Sequence, residues 1–309
     1  MYRIGIDLGG TNIVAAVTDE KLNIVESVFA PTRAYRSCEE VIADMCTLAE
    51  SALALSGINK SDCAGIGVGS PGNCDSEKGI VRRAYNLGWK DVPLCEIISS
   101  RMGLMTTLAN DADAAAYGEM KTGAAKGRKN VLFTALGTGV GVGVVTDGKI
   151  YTGAGRGGVE AGHTVIMMGG EPCTCGRKGC WEAYASATAL IRQAKKAAEE
   201  DPSSKLASLE EISGKAVFDL ADAGDAAAKA VADKYAIYVA EGLANLINTF
   251  DPEAVVIGGG IGDRGEKLLA PIREFLADNC FGGRERVQPD ILSSVNRGNA
   301  GVIGAAALV

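Results

Sequence analysis

The chain has a single histidine, no excess of positive charge and no apolar run of bilayer length, and each shortage narrows what it can do. A net charge of −7 provides no basic field for nucleic acid or for an anionic membrane surface. An anionic small ligand stays possible, because helix N-termini and backbone nests bind phosphate without lysine. No stretch approaches the roughly 20 apolar residues of a membrane helix. No secretory signal precedes the first strand-like segment, MYRIGIDLGG, so a cytoplasmic location with reduced thiols is expected. Nine cysteines, an odd number, agree with that and favour metal ligation over disulfides. At 309 residues, 47% hydrophobic and 22% charged, the chain can bury a large core and is long enough for two domains.

The lone histidine, His163, lies in the stretch Gly158 to Glu182 with Cys173, Cys175 and Cys180, and Glu160 and Glu182 bracket it. One imidazole and three thiols can complete a closed tetrahedral zinc shell of the structural kind. Gly176 and Gly179 fall where a chain folding back on a metal needs positive φ or close backbone approach. Small buried hydrophobes are the other use of cysteine. That use suits the scattered Cys38, Cys46, Cys63, Cys74, Cys95 and Cys280.

Hydrophobic periodicity places the elements. Tyr2 to Ala30 reads as a three-stranded antiparallel meander (Ile4–Ile6, Ile13–Val17, Ile24–Phe29). Helix spacing follows from Ser37, a plausible N-cap, to Ser56, then a buried strand over Ala64–Gly69. Leu94–Met102 reads as helix, Met105–Ala109 as strand and Asp111–Lys121 as helix. Val131–Leu136 and Val140–Val145 are strands around a second glycine turn, repeating the N-terminal pattern. Glu182–Glu200 and Asp225–Phe250 are long helices, with Ala216–Ala223 a shorter one; Asp251-Pro252 stops the second. Strand Ala254–Ile257, helix Glu266–Leu276, strand Val287–Leu292 and a small-residue helix Asn299–Leu308 close the chain. The expectation is α/β, with two similar domains facing across a cleft: a small one over 1–109, completed by the C-terminal helix 297–309, and a large one over 110–296.

Three glycine-rich turns sit at strand ends. In Asp7-Leu8-Gly9-Gly10-Thr11-Asn12, backbone amides can approach a phosphate while Asp7 holds a hydrated magnesium ion. The same residues also suit an ordinary hairpin. Gly137-Thr138-Gly139 repeats the arrangement, and Gly258-Gly259-Gly260, between a strand and a helix, suits a nucleotide. None is a Walker loop, since no Gly-Lys-Ser/Thr follows, and GGGIGD lacks dinucleotide spacing. Asp111, after Asn110 at a helix start, could take a proton from an alcohol beside a phosphoryl donor. It could equally be an N-cap, and position alone serves both readings.

Taken in order, DLGGTN (7–12), SPGNCD (70–75), NLGW (86–89), NDADAAAYGE (110–119), LGTGVGVG (136–143), EAGH (160–163), CTCGRKGCWE (173–182) and GGGIG (258–262) make the chain resemble the ROK family of sugar kinases and repressors along essentially its full length. The resemblance implies a two-domain actin-like ATPase (ribonuclease H-like) fold with sugar and ATP in the interdomain cleft. It implies ATP-dependent phosphorylation of a hexose at its 6-hydroxyl, foremost glucose, with Asp111 as general base. Asp7 would lie near magnesium, Gly9, Gly10, Thr11, Asn12, Gly137, Thr138 and Gly139 on the phosphates, and Gly258, Gly259 and Gly260 on the nucleoside. Gly72, Asn86, Asn110, Asp111, Glu160, His163 and Glu182 would line the sugar site, and His163, Cys173, Cys175 and Cys180 would hold zinc. A zinc-bound imidazole keeps its other nitrogen as an oriented N–H donor, so the metal can shape the sugar site without joining the reaction. Fructose, allose, N-acetylglucosamine and N-acetylmannosamine kinases share most of these motifs. The family's repressors carry a helix-turn-helix before the first glycine turn; with Asp7 almost at the N-terminus, no such element is expected here. A homodimer is the family's common form. One departure stands out: Val159 occupies a position where glycine is usual, and a β-branched residue there would be strained if the backbone needed positive φ.

Overall fold

The computed structural model describes every residue except Arg156. The chain opens with strands β1 (Tyr2–Leu8), β2 (Asn12–Thr18) and β3 (Ile24–Pro31), followed by helix α1 (Cys38–Ser56). Ser37 caps α1 with a complete capping box, its side chain accepting from the Glu40 amide while Glu40 reaches back, and Gly57 ends the helix in the left-handed region. Strand β4 (Cys63–Ser70) precedes three short strands, β5 (Asn73–Asp75), β6 (Ile80–Ala84) and β7 (Trp89–Val92). Then come α2 (Leu94–Met102), β8 (Thr106–Asn110), α3 (Asp111–Lys121), β9 (Val131–Leu136), β10 (Val140–Thr146) and β11 (Lys149–Ile150). Beyond the cysteine loop lie α4 (Glu182–Ala185), α5 (Ala187–Glu200), α6 (Gly214–Asp222) and α7 (Ala226–Phe250). The chain ends through β12 (Ala254–Gly258), α8 (Gly259–Gly262), α9 (Glu266–Asn279), β13 (Asp290–Ser293) and α10 (Ala300–Ala306).

Among the described residues the strands form a sheet of order β3-β2-β1-β4-β8, a second of order β11-β10-β9-β12-β13, and a three-stranded β5-β6-β7. In the first, β1–β2–β3 is the antiparallel meander, while β1–β4 and β4–β8 pair in parallel. Its core joins Ile4, Ile6, Leu8, Ile66 and Val68 to Val41, Ile42 and Met45 of α1 and Leu94, Ile98 and Met102 of α2.

The chain divides into two compact units: Met1–Phe133, Gly143–Val159 and Ser294–Val309 form the first, Thr134–Val142 and Glu160–Ser293 the second. The junction expected near Ala109 falls inside the first unit, because α3 packs closely against α10 there. Glycine makes this approach possible: a Cβ on Gly304 would stand 1.6 Å from the Ala114 carbonyl oxygen. Buried Glu119 near the end of α3 accepts from Ser294 Oγ (2.6 Å) and the amides of Ala124 (2.7 Å) and Asn296 (3.0 Å), fixing the returning chain to α3.

Local differences from the sequence reading have local causes. The helix expected over Glu182–Glu200 is broken at Ser186, whose extended backbone (ψ 160°) and side chain restart it as the cap of α5. The strand expected from Val287 begins only at Asp290: β13 pairs with β12 from there, Pro289 lacks an amide to donate, and Val287 is exposed. The helix expected over Asn299–Leu308 is tightened to α10 behind a 3₁₀ turn at Arg297–Asn299. Strands β5 to β7 are too short to show a period and escaped detection.

Candidate active site and cysteine cage

In the first unit, the parallel ladder brings two carboxylates to one edge. Asp7 on β1 pairs with Gly69 on β4, which pairs with Ala109 on β8, so Asp111 begins α3 just beyond the same edge. Gly69 has no side chain to separate them: a Cβ placed on it would lie 3.6 Å from Asp111 Cα and 3.9 Å from Asp7 Oδ1. Burial and then the Asp111 charge push the Asp7 carboxyl up to about 7. Burial also raises Asp111, against the stabilising effect of the Ala112 amide, which donates to Asp111 Oδ1 at 2.8 Å. Two crowded, desolvated carboxylates are an arrangement that a divalent cation relieves, and the pair fits magnesium held from Asp7.

The N-cap of α3 is Asn110, whose Oδ1 accepts from the Ala112 and Asp113 amides. The cap role considered for Asp111 thus belongs to its neighbour. Asn110 Nδ2 donates to the Gly72 carbonyl at 3.1 Å, tying the turn after β4 to the start of α3. Asn86 Nδ2 lies 3.0 Å from where a Cβ on Gly10 would sit, over the first glycine turn. That turn is held by Gly9 N to Asn12 O (2.9 Å), Thr32 Oγ1 to Gly9 O (2.6 Å) and Thr32 N to Thr11 O (2.8 Å). The first unit therefore assembles Asp7, Gly9–Asn12, Gly72, Asn86, Asn110 and Asp111. Sequence reasoning passed over Gly301 of α10, where a Cβ would stand 2.4 Å from Asp7 Oδ2. Nothing short of the tertiary packing could have marked that glycine.

In the second unit, the Cys/His loop folds into a cage. The ligand atoms of His163, Cys173, Cys175 and Cys180 all lie within 4.8 Å of one another. Cys173 Sγ is 3.6 Å from His163 Nδ1, and Cys175 Sγ is 3.6 Å from Cys180 Sγ. A tetrahedral zinc centre with Zn–S bonds of about 2.3 Å has sulfur–sulfur edges of about 3.8 Å, so the four residues fit that ion. Gly176 (φ 90°) and Gly179 (φ 82°) both take the left-handed backbone expected of them. The Cys175 thiol is lowered, first by the Arg177 amide; Cys180, buried, is raised to about 12 in the metal-free chain. With Nδ1 facing the sulfurs, Nε2 is the imidazole nitrogen left to other partners.

Glu160 and His163 share one turn, closed by His163 N donating to Glu160 O at 3.0 Å. The concern over Val159 dissolves, because Gly158 (φ 74°) supplies the left-handed residue and Val159 has none of that strain. Glu182 opens α4 and divides its oxygens: Oε1 lies 3.7 Å from Cys173 Sγ and 4.0 Å from His163 Nδ1, while Oε2 accepts from the Val140 amide at 3.1 Å. The turn Gly137–Thr138–Gly139 ends β9, and Gly259 follows the adjacent β12 against it, where a Cβ would stand 2.5 Å from the Leu136 carbonyl oxygen. Two of the three glycine turns, 137–139 and 258–260, are thus neighbours in the second unit. None of the described helices is long and apolar enough to cross a membrane.

The sequence pattern of the ROK family matches residues 3–309. The glucokinase of Halalkalibacterium halodurans is 40% identical over 88% of this chain and 84% of its own. That of Thermotoga maritima is 38% identical over 99% and 96%. The crystal structure of a ROK family glucokinase from Streptomyces griseus in complex with glucose and AMPPNP superposes with a TM-score of 0.87 at 34% identity, covering 100% of this chain and 99% of that one. With a match that runs nearly end to end in sequence and in fold, this chain belongs to the ROK family and has its two-domain actin-like ATPase fold.

Proposed function

We propose that this protein transfers the γ-phosphoryl group of ATP to the 6-hydroxyl of glucose, releasing ADP and glucose 6-phosphate. The observation that carries this reading is the convergence of Asp7 and Asp111 over Gly69 at one sheet edge, with Asp111 opening α3. Phosphoryl transfer asks a protein for positioning and charge neutralisation more than for covalent help. Asp111 accepts the 6-hydroxyl proton as the oxygen attacks phosphorus, and a carboxylate held above its ordinary range is the stronger base for it. Asn110, anchored to Gly72 and to the amides of α3, fixes that carboxylate's approach. Magnesium bound near Asp7 would neutralise charge on the transferring phosphoryl group.

Glu160, His163 and Glu182 supply acceptors and the imidazole N–H that a polyhydroxylated sugar pairs with, and Asn86 and Asn110 supply further amide partners. Zinc in the cage of His163, Cys173, Cys175 and Cys180 holds the imidazole with Nε2 outward. Gly9–Asn12 and Gly137–Gly139 receive the phosphates, and Gly258–Gly260 the nucleoside. A homodimer is the expected assembly, which light scattering would report at about twice the chain mass of 31.8 kDa.

ADP release measured over a panel of hexoses tests the assignment. Glucose should turn over fastest, with mannose and glucosamine slower. Faster turnover of fructose or N-acetylmannosamine than of glucose would overturn the sugar assignment.

A further inference from the structure

The cage and the glycine turn at 137–139 are joined by one short segment, Cys180 to Thr188, which grips every residue of that turn. At one end stand the buried ligand Cys180 and the fully buried Trp181. Trp181 cannot shift freely: its amide donates to Thr164 O (2.8 Å), its Nε1 donates to Tyr238 O (2.8 Å), and Gly242 lies against its ring, where a Cβ would fall 2.0 Å from Cε2. At the other end the Ala187 amide donates to Gly137 O (2.8 Å) and Thr188 Oγ1 donates to Thr138 O (2.9 Å). Between them Glu182 Oε2 accepts from Val140 N, and it fills the space beside Gly139, where a Cβ would come within 2.4 Å of that oxygen.

Glu182 is the joint. Its Oε1 faces Cys173 Sγ (3.7 Å) and Thr174 Oγ1 (3.5 Å), so a displacement of the cage reaches this carboxylate directly. With metal bound, the four ligands are held in register and Glu182 is seated against them; with metal removed, the cage loses the bonds that fix Cys173 and Cys180. The consequence travels along rigid parts, since Trp181 is pinned and α4 is a single turn.

We propose that metal loading of the cage sets the geometry of the 137–139 turn through Cys180–Thr188, so that the metal controls nucleotide affinity as well as sugar affinity. Glu182 and Thr188 then act as positioning residues for the phosphate-facing turn. This rests on the kinase reading above for the identity of the nucleotide, but not for the mechanical link. Linkage makes it reciprocal: if metal tightens nucleotide binding, nucleotide must tighten metal binding by the same factor.

The experiment uses the full chain without sugar, so that the sugar site plays no part. AMPPNP affinity is measured by calorimetry on zinc-loaded and chelator-stripped protein, and amide exchange is followed over residues 136–141. Stripping should weaken AMPPNP by about five- to tenfold and speed exchange in that turn, and AMPPNP should tighten zinc by the same factor in equilibrium competition with a chromogenic chelator. Thr188→Val, with cage and sugar residues intact, should keep one zinc per chain yet bind AMPPNP about threefold more weakly, a loss of one neutral hydrogen bond. That variant decides the matter if stripping unfolds the chain by circular dichroism. Unchanged AMPPNP affinity and unchanged exchange in stripped protein, or in folded Thr188→Val when stripping unfolds the chain, would overturn the link. If loaded protein fails to bind AMPPNP while exchange at 136–141 still responds to zinc, the link stands and the kinase reading falls.

Discussion

Replacing Asp7 with Asn should stabilise the magnesium-free protein at neutral pH while removing turnover. Asp7 is held up to about 7 by burial and by Asp111, against an ordinary value of 3.8. A carboxyl that binds its proton more tightly in the folded chain makes the native state the better proton binder between those two values. Stability therefore falls as pH rises from about 4 to about 7 and stays lowered above it. The gap of about three pH units corresponds to about 4 kcal/mol at full ionisation, an upper bound because Asp111 shares the charge. Asparagine has nearly the same shape and no charge to desolvate, so Asp7→Asn should gain about 2–4 kcal/mol over the parent at pH 8 and only about 1 kcal/mol at pH 4.5. Urea unfolding at both pH values, in magnesium-free buffer with the cysteine cage left loaded, measures this. Added magnesium should then stabilise the parent and leave the variant unmoved. An equal gain at both pH values, or stabilisation of the variant by magnesium, would refute the reasoning.

Asp111→Asn should lower kcat by about 10²- to 10⁴-fold while glucose binding stays measurable by calorimetry; near-normal turnover would remove Asp111 as the base. Cys175→Ala should release the cage metal and weaken glucose affinity, with elemental analysis as the check; one zinc per chain in the variant would show the ligand set to be wrong. Glu119→Ala leaves the Ser294 hydroxyl and the amides of Ala124 and Asn296 without their buried acceptor and should cost about 3 kcal/mol in denaturant unfolding. Glu119→Gln, which keeps an acceptor, should cost less.

Much of this architecture was legible because it is written in local chemistry. Ser37 is a capping signal that depends on a few adjacent residues, and the helix it starts appears where expected; α3 and α7 also start where expected, although the residues that cap them are Asn110 and Asp225. The cage was legible for the same reason, since its three cysteines fall within eight residues and its hinges, Gly176 and Gly179, have no side-chain obstacle to positive φ. Periodicity failed where elements were too short, as in β5 to β7, or where one side chain reset the backbone, as Ser186 does between α4 and α5.

By itself, then, the order of residues determined the strand–turn–helix grammar, the clustering of three cysteines that could hold a metal and the placing of Asp7 and Asp111 by strand ends, because each depends on neighbours within a turn or two. Only the tertiary structure decided which distant pieces share a unit. The bonds from Ser294 and Asn296 to Glu119, the close approach of Gly301 to Asp7, the convergence of Asp7 and Asp111 over Gly69, and the division of Glu182 between the cage and Val140 all join residues far apart in the chain. No local pattern encodes such contacts, because they come from sheet register and from how closely two backbones can pack.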